Sequence, residues 1–159
     1  MPVEPELSAA LWGALEEALD KMFFVAGFEN ATPGAEPRPE MTATVEFEGA
    51  SRGIFKLWVT PALARSIAAD FLGEDEPALP EERARQVVCE LANMICGAAL
   101  SRARGQHEFR LGEPRCPGLA SGSDGPPDAA IAVTAGDGLL EAELRLESGE
   151  CSQSAKSAS

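Results

Sequence analysis

The stretch Gln86-Val-Val-Cys-Glu-Leu-Ala-Asn-Met-Ile-Cys-Gly-Ala98 decides the fold of this chain, because it has the pattern of the middle of a long helix. At about 100° per residue, one broad face of that helix is apolar. This face consists of Val87, Val88, Leu91, Met94, Ile95 and Ala98. The opposite side, at i, i+3, i+4 spacing, carries a narrow polar row. The polar row is formed by Gln86, Glu90, Asn93 and Gly97.

A glycine inside this helix is unusual, since it costs roughly 1 kcal/mol of helix stability relative to alanine. Gly97 lies one turn after Asn93 on the same side. We therefore expect that something at this point needs room, either a neighbouring element of the fold or a partner molecule.

The composition restricts the classes of partner. The chain has 159 residues, with 26 acidic and 13 basic side chains and a formal net charge of -13. Such a surface repels phosphate groups and anionic lipid, so we expect neither nucleic acid nor a membrane as partner. Its length favours one domain, expected over residues 1–147. Residues 148–159, rich in Ser, Ala and Lys, are expected to form a disordered tail.

We expect neither a membrane span nor a secretory signal. The sequence contains no run of eighteen apolar residues, which a membrane span would need. The segment Met1–Glu6 lacks the basic start and apolar centre of a secretory signal.

The four cysteines, Cys89, Cys96, Cys116 and Cys151, indicate a reducing compartment. Cys89 and Cys96 would lie about 10 Å apart along one helix, which is beyond the reach of a disulfide. The chain has no CxxC pair and its one histidine is His107, so we expect no metal site. We interpret the thiols as reduced and the location as cytoplasmic. A redox sensor is the alternative interpretation.

The first half of the chain predicts a helix and a hairpin. The helix runs from Ser8, as its N-cap, to Val25, and a proline-rich loop follows over residues 31–39. Two alternating segments, Thr42–Glu48 and Ile54–Val59, predict the hairpin.

The second half predicts two helices and further strands. Thr60-Pro61 begins a helix that ends at Leu72-Gly73, and Pro80 opens the long helix, which continues to about Arg104. Strands are predicted over residues 107–111, after residue 117, over 129–134 and over 140–146, with a turn at 136–138. The alternation of the last segment predicts a half-buried strand.

These elements predict an α+β fold, a mostly antiparallel sheet packed by about three helices. The two halves look alike, because each has a helix followed by a hairpin. The helices also share a local pattern, Glu17-Ala-Leu-Asp20 in the first and Glu90-Leu-Ala-Asn93 in the long one.

The run Glu90-Leu-Ala-Asn-Met-Ile-Cys-Gly97 resembles the signature helix of the CheC/CheX/FliY phosphatases of bacterial chemotaxis, and it is most similar to the CheX-like domain. The resemblance extends to Asp20-Lys-Met-Phe-Phe24 and to the order of the elements, so that it covers about Leu7 to Glu147. It implies a sheet packed by helices, with pseudo-symmetric halves. It also implies removal of the phosphoryl group from the aspartate of a phosphorylated CheY-type response regulator.

The resemblance gives the polar row its roles. Asn93 would orient the attacking water, because a carboxamide can accept a hydrogen bond from water while it donates to a phosphoryl oxygen. Glu90 would pair with a lysine of the partner, and Gln86 and Gly97 would contact it. No cofactor is expected in this chain, since magnesium would belong to the partner response regulator. Asp20, an acceptor only, would be a defective counterpart of Asn93.

Two features depart from the family pattern, and other interpretations stay open. Gln86 stands where the fuller motif has Asp or Ser, and the motif's later proline falls near Pro114 or Pro117. Taken singly, Glu90 and Asn93 could be solvated helix residues and Gly97 a packing residue. The chain could therefore be a catalytically silent module that binds a receiver domain. It could also be a structural oligomerisation domain in which Gly97 packs against a copy. A homodimer is compatible with each of these interpretations.

Overall fold

The computed structural model describes residues 5–22, 29–34, 39–49, 52–73, 79–104, 109–115, 127–135 and 138–146. Within these ranges there are three helices, α1 (Pro5–Met22), α2 (Pro61–Leu72) and α3 (Glu81–Arg104). The strands of the same ranges are β1 (Glu29–Ala31), β2 (Met41–Gly49), β3 (Gly53–Val59), β4 (Phe109–Leu111), β5 (Ala129–Ala135) and β6 (Gly138–Leu146). The predicted α+β class is therefore confirmed.

Several predictions fall outside the described residues. They concern His107, Cys116, Cys151, the strand after residue 117, the turn at 136–137 and the tail over 148–159.

The six strands form one sheet in the order β1-β5-β6-β3-β2-β4, with every neighbouring pair antiparallel. The hairpins β2–β3 and β5–β6 meet at its centre through β3 and β6. Short β1, from the first half, pairs with β5 of the second half. Short β4, from the second half, pairs with β2 of the first half. The order is thus a palindrome of the two halves, in which each half lends its short strand to the hairpin of the other.

The helices pack against this sheet and against one another, and the core lies between the two layers. Helix α3 contacts β2 and β3, α1 contacts β5, and α2 contacts β6. Helices α1 and α3 also pack on each other. On the central strand β3, alternate residues belong to this core, and Phe55, Leu57 and Val59 are fully buried.

The apolar face predicted for α3 is confirmed. Val88, Leu91 and Ile95 are fully buried, and Val87 is nearly so. The predicted margin, Met94 and Ala98, is partly buried and packs against the core. The periodicity of the sequence therefore placed the inward side of this helix correctly.

The first helix and the strand after it differ from their predictions. Ser8 is not the N-cap, because α1 begins at Pro5 and places Ser8 inside the helix. The Ser8 Oγ is buried and makes no hydrogen bond with the described residues. Ala31 does not start a loop but ends β1, which pairs with β5. Three residues are too few to show alternation, so periodicity does not indicate this strand.

The boundaries of α2 are as predicted, but its capping threonine has another role. The Thr60 hydroxyl makes no cap hydrogen bond. Instead, Thr60 Oγ1 accepts a hydrogen bond from the Leu139 N–H at 2.8 Å and donates one to the Leu139 carbonyl at 3.1 Å. It therefore links the start of α2 to β6. At the other end Gly73 is the predicted C-terminal stop, with a left-handed φ of 69°.

The prediction of a half-buried β6 is wrong, because both faces of the strand are covered. Glu141 and Glu143 are only 1% and 3% exposed. Glu143 Oε2 accepts a hydrogen bond from Arg145 Nε at 2.6 Å, and Glu141 Oε2 accepts one from the Gly34 N–H at 2.6 Å. Buried carboxylates need such partners. The partner of Glu141 lies more than a hundred residues away in the sequence, so local alternation could not indicate it.

Truncating the centre of the α3 face should destabilise the protein strongly. Leu91→Ala removes a fully buried side chain, and we expect a loss of about 2–5 kcal/mol in the free energy of unfolding. Gln86→Ala, on the exposed side of the same helix, is the control and should change stability by less than about 0.5 kcal/mol. Urea denaturation measures both. A loss for Leu91→Ala as small as that of the control would contradict the assigned packing face.

Candidate functional site

The structure brings the four residues of the polar row onto one side of α3, away from the core. Gln86 and Glu90 are exposed, and Asn93 and Gly97 are half-buried. By helical rise, Asn93 lies about 4.5 Å along the axis from Glu90, and Gly97 lies about 6 Å beyond Asn93. The row is thus a short linear site on one regular helix.

The polar groups of the row are not used by the described fold. Among the described residues, neither the Glu90 carboxylate nor the Asn93 amide makes a hydrogen bond or an ion pair. An exposed acid earlier in α3 behaves differently, since Glu81 Oε2 pairs with Arg85 Nη2 at 3.3 Å. The amide of Asn93 offers one carbonyl acceptor and two N–H donors. These groups are therefore available to a molecule that approaches the row.

The described fold does not require a glycine at position 97. The backbone of Gly97 is not in the left-handed region. A Cβ built there would lie 3.8 Å from Leu111 Cδ2, which is ordinary van der Waals contact. Of the two reasons predicted for this glycine, a packed neighbour is thus the weaker one. Its effect is to leave open surface beside Asn93.

An open groove of about 910 Å³ adjoins the Glu90 end of the row. Its apolar lining comes from the end of α2, from α3 and from the segment after β4. These residues are Phe71, Leu72, Val87, Cys89 and Pro114. Gln86 and Glu90 also line it, together with the charged residues Glu82, Arg83 and Arg85.

Phe71 is a surface residue that the sequence pattern does not indicate. The residue lies four positions after Ile67 and eight after Leu63, which are both buried, so its spacing predicts burial. It is nevertheless 44% exposed. The signal that could have found it is its position in the last turn before the Gly73 stop, where the apolar stripe extends beyond the core.

The corresponding positions of α1 have a different environment. Glu17 Oε1 pairs with Arg102 Nη2 of α3 at 2.7 Å. The guanidinium lies across Gly13, where a Cβ would be 2.9 Å from Arg102 Nη1. Asp20 is exposed and offers only acceptors at neutral pH. Glu17 therefore takes part in the contact between α1 and α3.

The two described cysteines are free thiols on α3. Cys96 is fully buried, and this burial raises the pKa of its thiol to about 12, so that it stays protonated near neutral pH. Cys89 is half-buried in the wall of the groove. Protonation leaves Cys96 without the thiolate that a nucleophile or metal ligand needs.

Within the described ranges, no group of three or more His, Cys, Asp or Glu side chains is placed to hold a metal ion. Helices α1, α2 and α3 also lack the combination of length and apolarity that crossing a bilayer requires.

Part of the chain matches the model of a known protein family. The family model described as chemotaxis phosphatase CheX matches residues 41–117, a range that includes the whole polar row. A search of curated protein sequences found no match.

Solved structures share the fold at low sequence identity. CheX from Vibrio vulnificus has a TM-score of 0.70 at 19% identity, over 89% of this chain and 99% of the other. A chain of the CheX-CheY-BeF3-Mg complex from Borrelia burgdorferi has a TM-score of 0.69 at 18% identity, over 88% and 97%. FliY from Thermotoga maritima has a TM-score of 0.51 at 16% identity, over 92% and 93%.

The family model and the shared fold agree with the pattern of the polar row and with the palindromic sheet. Residues 41–117, which include the whole polar row, match the chemotaxis phosphatase CheX family, and the described fold is that of solved CheX structures.

Proposed function

We propose that this protein removes the phosphoryl group from the aspartate of a phosphorylated CheY-type response regulator. Asn93 orients the attacking water, and Glu90 docks to the regulator. The observation that carries the proposal is the pair of polar groups on α3, a carboxylate and one turn later a carboxamide, that the described fold leaves without intramolecular partners. The match to the CheX family supplies the substrate class.

The reaction asks for positioning rather than for a strong base. An oxygen of water attacks phosphorus in line, a new P–O bond forms, and the bond between phosphorus and the aspartate oxygen breaks. The products are inorganic phosphate and the free aspartate. Catalysis of such a transfer is mainly alignment and charge stabilisation. The Asn93 carbonyl accepts a hydrogen bond from the water, and its N–H donates to a phosphoryl oxygen.

Magnesium enters this scheme with the partner. The complex of CheX with CheY from Borrelia burgdorferi contains BeF3 and Mg²⁺. BeF3 there stands in for the phosphoryl group. We propose that here the metal and the phosphoryl group both belong to the regulator. This chain then contributes the amide and the docking surface. We place the reaction in the cytoplasm, as expected from the reduced thiols.

The buried side of α3 is what makes such a small site effective. Leu91, which lies between Glu90 and Asn93 in the sequence, and Ile95, which follows Asn93, are both fully buried. The helix therefore cannot rotate or slide without losing core contacts. Once Glu90 is paired with a cation of the regulator, the reach of Asn93 is fixed by the helical rise. A regular helix holds this geometry better than a loop does.

Replacing the amide should abolish most of the acceleration. Asn93→Ala should lower turnover by about 10²–10³, the loss typical for one preorganised group of this kind. Asn93→Asp should be no better, since it puts a negative charge beside the phosphoryl group. Both variants should keep their affinity for the phosphorylated regulator, and their stability should change by less than about 0.5 kcal/mol. The rate of phosphate release and the dissociation constant are the two measurements.

Asp20→Ala is the matched control, because it removes an exposed side chain at the corresponding position of α1. It should leave turnover nearly intact. A large fall in turnover for this folded variant would show a second working site.

If the wild-type protein binds the regulator without accelerating phosphate loss, the chain is a silent binding module. If the wild-type protein neither binds the regulator nor accelerates phosphate loss, it shares only its fold with the CheX phosphatases.

The Glu90 contact should be recognisable by its dependence on salt. Glu90→Ala should weaken binding a few-fold at low ionic strength, and the difference should shrink as salt rises, because an exposed ion pair is screened. Glu16→Ala removes the same charge from an exposed position of α1 and should have no such effect. Isothermal titration at two salt concentrations tests this. Equal affinities of wild type and Glu90→Ala at low salt would remove Glu90 from the interface.

Gly97 should show opposite effects on stability and on binding. Gly97→Ala should stabilise the free protein by up to about 1 kcal/mol, because alanine favours the helix and its Cβ has room beside Leu111. The same methyl group would occupy the surface on which the regulator rests, so affinity should fall. Thermal unfolding and titration of the same variant measure the two effects. Unchanged affinity would show that this surface stays outside the interface.

A further inference from the structure

We infer that the surface which recognises the regulator extends from Glu90 into the adjoining groove, where Phe71 contacts an apolar side chain of the receiver domain. This inference rests on the proposed function and adds a determinant of partner choice to it. The residue belongs to α2, which contains no part of the polar row.

Phe71 lies where the apolar stripe of α2 leaves the core. Leu63, Ile67 and Phe71 follow one another at four-residue spacing on α2, and the first two are buried. The third is 44% exposed and is the large apolar side chain left in solvent among the described residues. Removing the exposed part of this ring from water would be favourable, and the described fold leaves that gain unused. A contact made only in a complex would recover it.

The groove connects Phe71 with Glu90, the residue proposed to dock to the regulator. Phe71 and Leu72 line the same groove as Gln86 and Glu90. A regulator held by Glu90 therefore places its neighbouring surface against the ring. An apolar floor with charged residues around it has the composition of an interface centre with its polar rim.

The mixed charges around the groove favour a protein surface as its occupant over a small charged ligand. Glu82 and Glu90 contribute negative charge, and Arg83 and Arg85 contribute positive charge. Arg85 is already paired with Glu81. No single sign dominates, so the apolar lining is left as the main source of affinity. The occupant is consequently an apolar side chain on the face of the receiver domain beside its phosphorylation site.

The test is a comparison of four proteins: wild type, Phe71→Ala, Phe71→Leu and Asp70→Ala. Asp70 is the exposed neighbour of Phe71 and does not line the groove, which makes it the matched control. The probe is a CheY-type receiver from the same cell, in its beryllofluoride form for binding and in its phosphorylated form for turnover. Phe71→Ala should raise the dissociation constant about tenfold or more. Phe71→Leu should restore most of the affinity, and Asp70→Ala should match wild type.

Kinetics separate this role from that of Asn93. Phe71 contacts the regulator equally before and during the reaction, so Phe71→Ala should raise KM while leaving kcat unchanged. The melting temperature of the free variant should stay that of wild type. If wild type accelerates phosphate loss and Phe71→Ala has an unchanged KM and dissociation constant, this inference is wrong and the proposed function stands.

Other occupants of the groove would be recognised by different results, each of which overturns the inference. A lower melting temperature with unchanged affinity would show that the ring packs against another part of this chain. A change in the sedimentation coefficient of the free protein, again with unchanged affinity, would assign the groove to a second copy. If wild type binds the receiver without accelerating phosphate loss, the proposed function fails while the affinities of the Phe71 variants still decide the inference. If wild type does not bind at all, both fail.

Discussion

The burial of one side of α3 is the constraint on which the rest of the structure depends. Leu91 and Ile95 are fully enclosed between the sheet and the neighbouring helices, and they fix the rotation of the helix about its axis. The opposite side must then face outward, whatever residues it carries. The chain places there an acid, an amide and a glycine, none of which the described fold uses for its own stability. The outward position of the polar row is therefore a consequence of how the core is packed.

The palindromic sheet provides two equivalent places for such a site, yet the chain equips only one of them with an amide. In α3 the pattern is Glu90-Leu-Ala-Asn93, and in α1 it is Glu17-Ala-Leu-Asp20. Glu17 forms a 2.7 Å ion pair with Arg102, so its carboxylate serves the contact between the helices. The two halves of the fold are alike in their strand order, whereas the corresponding polar residues of α1 and α3 have different surroundings.

What the sequence could predict followed from local periodicity. The inward face of α3, both hairpins and the Gly73 stop all depend on residues close together in the chain, and they were found. Features that depend on distant residues were missed. The short strand β1 exists because β5 pairs with it, and Thr60 turns to Leu139 instead of capping its own helix. Glu141 is buried, and the Gly34 N–H that bonds its carboxylate lies more than a hundred residues away in the chain. The exposure of Phe71 likewise depends on where the core ends. The polar row could be named from the sequence because a helix displays it at fixed spacing, but the groove beside it joins three separate segments.

A single-turnover experiment separates binding from chemistry and therefore shows whether the Asn93 amide accelerates the reaction. A phosphorylated CheY-type receiver is mixed with increasing concentrations of wild type or Asn93→Ala, and the rate of phosphate release is followed to saturation. We expect both proteins to saturate at similar concentrations. We also expect the limiting rate to rise well above the receiver's own rate for wild type and to stay close to it for Asn93→Ala. Equal limiting rates for the two proteins, both above the rate of the receiver alone, would show that acceleration does not pass through the Asn93 amide.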